Sequence, residues 1–224
     1  MSLEITLRLI EIGVSLALLQ RAAEHLPSKD QILFGAQMVL AILLIVGLFR
    51  GPLIGALWML GVAQLHRFDG PYNGGADKMA LLALTCLGVA HLFPNWADVA
   101  LAYLAVQLIF SYVISGGVKL LNAEWRSGRA LCGVFAHSVY PVSENLRGLA
   151  GRRKILFAAS WAVILFEVAF PIALLHPGVL VATLAVAAAF HLANACLFGL
   201  NRFLWIWISV YPALFWLQDR LISA

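Results

Sequence analysis

Charge is scarce in this chain. Asp, Glu, Lys and Arg supply 12% of its 224 residues, while 62% are hydrophobic. So few charges cannot cover the surface of a soluble globule this size, and a mean hydropathy of +0.92 excludes that class. Most of the apolar surface must face lipid. Cysteine is scarce too: Cys86, Cys132 and Cys196 have no CxxC spacing, and two lie inside apolar runs. Neither a disulfide framework nor a zinc site is expected, and no metal ligand set is predicted. There is no HExxH, no GxSxG and no phosphate-cradling glycine loop, which leaves the common soluble-enzyme chemistries unsupported. The N-terminus lacks a basic n-region and a small-residue cleavage site, so the first helix is expected to be retained.

What is present is a series of apolar runs. Their lengths predict an all-α, polytopic transmembrane bundle of about seven to eight helices. The segments fall near 4–24, 31–49, 52–66, 79–93, 99–119, 155–175 and 178–200, with an aromatic eighth at 203–218. No stretch of soluble-domain length and no internal repeat remains, so residues 1–224 are expected to form one integral membrane domain. The first segment carries Arg8 and Glu11 one turn apart; it either spans with the two paired or lies in the interface. Segment 79–93 would rise only about 22 Å, so it must meet thinned lipid or extend through Asp77.

The net charge of +4 has a topological explanation rather than a nucleic-acid one. Alternating faces, with the first helix spanning, put Arg21, Lys29, Arg67, Lys78, Arg126, Arg129, Arg147, Arg152, Arg153, Lys154 and Arg202 on one side. Little beyond Arg8, Arg50 and Arg220 falls on the other. The first side is expected to be cytoplasmic in a bacterial inner membrane, with loops 67–78 and 120–154 on it. The cluster "RGLAGRRK" also suits contact with anionic lipid, and membrane lipids are the expected surroundings.

Ionisable groups inside apolar runs need a reason, since each costs about 2.5–3.5 kcal/mol at a helix centre on insertion scales. Glu167 sits mid-segment in "SWAVILFEVAFPIALL", four residues before Pro171, whose ring disrupts the bond to the Glu167 carbonyl. His191 and Asn194 in "AFHLANACLFGLNRF" are three apart and share a helix face, so together they can hydrogen-bond a carbonyl or hydroxyl. Tyr112, Ser115, Gly116 and Lys119 form another stripe, with Trp125 six residues beyond Lys119. Each has a plain structural alternative. Glu167 can fix helix register, His191 and Asn194 can clamp two helices, and Lys119 can cap a helix C-terminus.

Further features read first as structural. "RFDGPYNGGADKM" carries turn chemistry, with Asp77 as a candidate cap and an anion site as the functional alternative. His91 is expected to be a satisfied or interfacial histidine. "LWIWISVYPALFW" reads as an aromatic belt packed against lipid, and Gly51 with Gly55 hints at close helix packing.

Two stretches together resemble a known family. "YVISGGVKLLNAEWRSGRAL" is similar to a lysine-containing motif of vitamin K-dependent gamma-carboxylases, and "FHLANACLFGLNRF" to their Phe-His-x-x-Asn-x-x-Leu-Phe motif. "YNGGADKM" looks like the Asn-Gly-Gly loop of HTTM domain proteins, which hold only the membrane part, and the likeness runs over roughly residues 4 to 218. The resemblance implies a membrane helix scaffold that handles a quinone or hydroquinone, with a lysine amine as base. Lys119 matches the first lysine of the family's pair, but Leu120 stands where the catalytic one is expected. His91 matches the family's other active-site histidine only through a gap. The carboxylases' large lumenal substrate-binding region is not expected to have a counterpart here, and charge counting is expected to turn Lys119 toward the cytoplasm rather than the lumen. Carboxylase activity is therefore not expected.

Two functional classes stay open. One is an intramembrane polar pocket for a lipophilic, quinone-like ligand with linked redox or modification chemistry. Lys119, Tyr112, Glu167, His191, Asn194 and Trp125 would bind it, and Lys119, Glu167 and His191 are the catalytic candidates. The other is a non-catalytic accessory subunit that stabilises a larger membrane protein complex. No nucleic-acid partner is expected under either.

Overall fold

The computed structural model describes residues 1–27, 30–67 and 74–222. Among them all regular structure is helical and no strand occurs. Four stretches are long and apolar enough to cross a membrane: Gly75–Leu92, Pro94–Leu121, Arg153–Leu175 and Pro177–Phe198. The expected count of seven or eight is thus not reached by length and apolarity; Gln31–Val46 is apolar but shorter. The chain divides into two compact units, residues 1–106 with 202–224, and residues 107–201.

In the first unit, α1 (Leu3–His25), α2 (Gln31–Val46), α3 (Arg50–Arg67) and α4 (Gly75–Leu92) pack in sequence, and α1 also meets α4. Ser2 starts α1 by accepting the Ile5 amide, and Gly47 ends α2 at φ 91°, where its N–H reaches the Leu43 and Leu44 carbonyls. A buried glutamine pair ties the middle helices: Gln64 donates to Gln37 at 2.6 Å, and Gln37 to the Leu18 carbonyl at 2.8 Å. α4 extends through Asp77, which gives it about 27 Å of rise.

α11 (Asn201–Ile222) completes this unit. A Cβ at Gly13 would lie 2.6 Å from Ser209 Cβ, so only glycine lets α1 and α11 approach this closely. This corrects the reading of the aromatic segment as lipid-facing. Trp207, Tyr211 and Trp216 are buried, and Trp205, Ile208 and Phe215 stay exposed. The small residue on α1 admits the bulky face of α11, which composition alone does not reveal.

The ends of these helices carry the charge. Glu11 is fully buried and accepts from Arg8 (3.1 Å), from Arg50 through both oxygens (2.7 and 2.8 Å) and from His91 (2.7 Å). Arg8 also donates to the Leu44 carbonyl at 2.9 Å and to that of Ile45, covering the open end of α2. The expected Arg8–Glu11 pair is therefore one edge of a larger cluster, which holds His91 too. At the other ends, Asp77 meets Arg21 and Arg202, each at 3.4 Å. Asp77 is not the expected cap, because Gly74 occupies that position and Asp77 lies inside the first turn. Most of the turn in "RFDGPYNGG", residues 68–73, lies outside the described residues. A Cβ at Gly51 would lie 3.8 Å from His91 Cβ and one at Gly55 would meet nothing within 4 Å, so that pair is not a tight seam.

The second unit begins within α5 (Ala97–Leu121), which follows a 3-10 turn at Pro94–Trp96. The expected loop 120–154 instead holds α6 (Ala123–Arg126), α7 (Arg129–His137), α8 (Pro141–Asn145) and a 3-10 turn at Arg147–Gly151. Asn122 caps α6 by accepting the Glu124 amide at 2.8 Å. α9 (Arg153–Ala169) passes into a 3-10 turn, Phe170–Leu175, at Pro171, where the α-helical bond to Glu167 is lost. α10 (Pro177–Phe198) follows and closes on Gly199 at φ 70°.

Candidate functional site

All six candidate binding residues lie in the second unit, on α5, α6, α9 and α10. Their placement starts from a glycine. A Cβ at Gly116 would sit 2.8 Å from both Glu167 Cβ and the Val168 amide nitrogen, so α5 and α9 cross in near backbone contact there. One turn beyond Gly116, Lys119 Nζ reaches Glu167 Oε2 at 2.6 Å and Oε1 at 2.9 Å. Ser115 is shared between them: its hydroxyl accepts from Lys119 at 2.5 Å and donates to Glu167 at 3.2 Å. The Glu167 side chain is 4% exposed and that of Lys119 16%. Two charges this dry are tolerable only as a hydrogen-bonded pair.

Lys119 is also the link to Trp125, whose ring centroid lies 5.2 Å from Nζ. α9 fixes that indole's backbone from the other side: Ser160 donates to the Trp125 carbonyl at 2.5 Å, and Trp161 Nε1 to the Arg126 carbonyl at 3.0 Å. Gly128, at φ 76°, sits where a Cβ would come within 2.7 Å of Phe157 Cα. The turn after α6 is thereby pressed onto α9. Arg126 donates to the Leu120 and Leu121 carbonyls, each at 2.8 Å, and so closes the end of α5.

One turn before Ser115, the Tyr112 hydroxyl is hydrogen-bonded to His191 Nε2 at 2.9 Å. The Tyr112 ring stacks on Phe170 at 3.9 Å between centroids, and Phe166 meets both rings edge-on. This pair is buried among aromatic rings and joins α5 to α10.

Asn194 lies one turn along α10 from His191 and lines a groove of about 520 Å³. Trp125, Tyr140, Phe198, Leu131 and His137 contribute to its walls. The six candidates thus fall into three connected groups. Lys119 and Glu167 pair with each other, Tyr112 pairs with His191, and Trp125 and Asn194 face the groove. Lys119, Glu167, Tyr112 and His191 are not among the residues lining it. The third catalytic candidate, His191, meets Tyr112 rather than Lys119. Sequence reasoning missed Ser115 as the bridge and Tyr140 and Phe198 as walls. Ser115 could have been found from its position on the Tyr112–Lys119 stripe. Leu120, directly after Lys119, is exposed and its side chain carries no proton to exchange.

Among the described residues, wholly helical regular structure, four membrane-length apolar stretches and a dry ion pair within them point to a membrane protein. The family model of the HTTM domain matches residues 89–219, more than half the chain, and the chain belongs to that family. The match includes all six candidates and begins after the "YNGGADKM" stretch. Neither the curated proteins nor the solved structures yield a match to this chain.

Proposed function

We propose that the second unit binds a lipophilic, quinone-like ligand in the groove between Trp125 and Asn194. The supporting observation is the double role of Trp125, which walls the groove and carries Lys119 against its ring. A volume near 520 Å³ lies within the roughly 300–1,000 Å³ usual for small-molecule sites. The donor set fits such a ligand: aromatic faces from Trp125, Tyr140 and Phe198, and an Asn194 amide able to donate to a ring carbonyl. Lys119 is engaged by Glu167 and Ser115, which favours a positioning charge over a free amine base. Carboxylation is accordingly not part of the proposal, and any linked redox or modification step rests on the ligand's own chemistry. The same reading sets the chain in a bacterial inner membrane, with residues 67–78 and 120–154 on the cytoplasmic side, on the strength of their cations.

The test is quenching of tryptophan fluorescence by a short-chain benzoquinone in detergent, with wild type beside Asn194→Leu. Loss of one neutral hydrogen bond should weaken binding roughly fivefold, for a net contribution of about 1 kcal/mol. Equal quenching in both proteins would sink the reading. A non-catalytic accessory subunit is the second reading, supported by the largely uncovered faces of Arg153–Leu175 and Pro177–Phe198. It requires a stoichiometric membrane partner to copurify in mild detergent.

A further inference from the structure

A second cleft borders α7. It measures about 550 Å³ and is lined by Ser127, Arg129, Gly133, His137 and Arg153 among others, with no carboxylate in its wall. Gly133 and His137 border both this cleft and the Trp125 groove. The chemistry of the two spaces differs: one is walled by aromatic rings, the other by guanidinium groups.

Three observations bear on what the cleft takes. First, the segment 122–154 holds six cations, Arg126, Arg129, Arg147, Arg152, Arg153 and Lys154, against two carboxylates, Glu124 and Glu144. Second, those carboxylates are already engaged. Glu124 holds Arg129 through two bonds of 2.6 and 2.9 Å, and Glu144 meets Arg147 at 3.2 Å. Arg153 enters no ion pair among the described residues, so its charge is open to an outside anion. Third, Arg153 is the first residue of a membrane-length stretch, and Ile155 and Phe157 just beyond it are exposed at 59% and 48%. An anion beside Arg153 therefore sits where an apolar track begins.

We infer that this cleft binds a phosphate group, with Arg153 as its principal partner and the headgroup of an anionic phospholipid as its source. A guanidinium fork matches phosphate oxygens in two parallel bonds. His137 adds a ring N–H, and Arg129 contributes to the extent that Glu124 releases it. The acyl chains then lie along Ile155 and Phe157, which a soluble phosphate does not need. A zwitterionic lipid carries its own cation into a cleft that has no carboxylate to receive it. The two spaces share Gly133 and His137, but Asn194 lines only the Trp125 groove and Arg153 only this cleft, so substitutions at those two residues tell the readings apart.

The full chain in a neutral detergent is titrated with phosphatidylglycerol, phosphatidylcholine or inorganic phosphate, with lipid retention read by native mass spectrometry and phosphate by thermal midpoint. Phosphatidylglycerol should be retained over phosphatidylcholine, and retention should fall with added salt. Arg153→Gln should weaken it about fivefold, the worth of one cation at a membrane surface. Glu124→Gln should strengthen it, since Arg129 is then freed, and a misfolded variant could not do that. Asn194→Leu should leave it unchanged even if it abolishes quinone quenching. An Arg153-dependent response to inorganic phosphate, without lipid retention, keeps the phosphate site but assigns it to a soluble ligand. Equal retention of the two lipids, or an Arg153→Gln variant indistinguishable from wild type, overturns the inference.

Discussion

Lys119→Met removes the one ion-pair partner that Glu167 has among the described residues. The carboxylate is then left with the 3.2 Å Ser115 hydroxyl, in surroundings where its side chain is 4% exposed. Stranding a buried charge this way costs about 3–5 kcal/mol. Glu167→Leu should cost less, because Lys119 is 16% exposed and keeps the Ser115 hydroxyl and the Trp125 ring as neighbours. The double variant Lys119→Met, Glu167→Leu removes both charges together, and apolar replacements of buried pairs are often neutral or better. The two single losses therefore cannot add. A double-mutant cycle measured by reversible unfolding in mixed micelles with dodecyl sulfate should give a coupling of at least about 2 kcal/mol, toward the upper end for contacting residues. A coupling under about 0.5 kcal/mol, the scatter expected of independent sites, would refute the ion pair as an energetic unit.

Other outcomes follow from the same geometry. Gly116→Ala must push α5 from α9 to accommodate a Cβ 2.8 Å from Glu167 Cβ, and should cost about 1–3 kcal/mol in the same unfolding assay. Glu11→Ala should cost about 3–5 kcal/mol there, because Arg8 and Arg50 lose their shared carboxylate at once. A Cβ at Gly133 would meet nothing within 4 Å and the residue borders the groove, so Gly133→Leu should leave stability near that of wild type while lowering quinone quenching. Tyr112→Phe keeps the stack on Phe170 and loses the hydroxyl bond to His191. A stability loss of about 1 kcal/mol with unaltered quenching is expected.

Apolar length carried most of the fold. The segments read near 155–175 and 178–200 reappear as Arg153–Leu175 and Pro177–Phe198, within two residues at every end. Helices of four to nine residues leave no such trace, so α6, α7 and α8 were hidden in what reads as a loop. Contacts within a helix were legible where contacts between helices were not. Arg8 and Glu11 are three apart and declare themselves, whereas Arg50 and His91 join from 39 and 80 residues away. Glu167 was conspicuous for its depth in an apolar run, but nothing in spacing says that its partner is Lys119. The aromatic segment failed for a different reason. A run rich in Trp and Phe suits lipid and core alike, and only Gly13 on another helix decides which.

The pairing of Lys119 with Glu167 also imposes an order on biosynthesis. The two residues are separated by 48 positions, so the lysine enters the membrane well before its counter-charge has been translated. Lys119 tolerates the wait because it stands two residues from the end of α5, where a long side chain can keep its ammonium at the polar boundary. Glu167, mid-way along the later stretch, has no such refuge. Its insertion is cheapest beside a lysine already present, which makes the earlier helix a template for the later one.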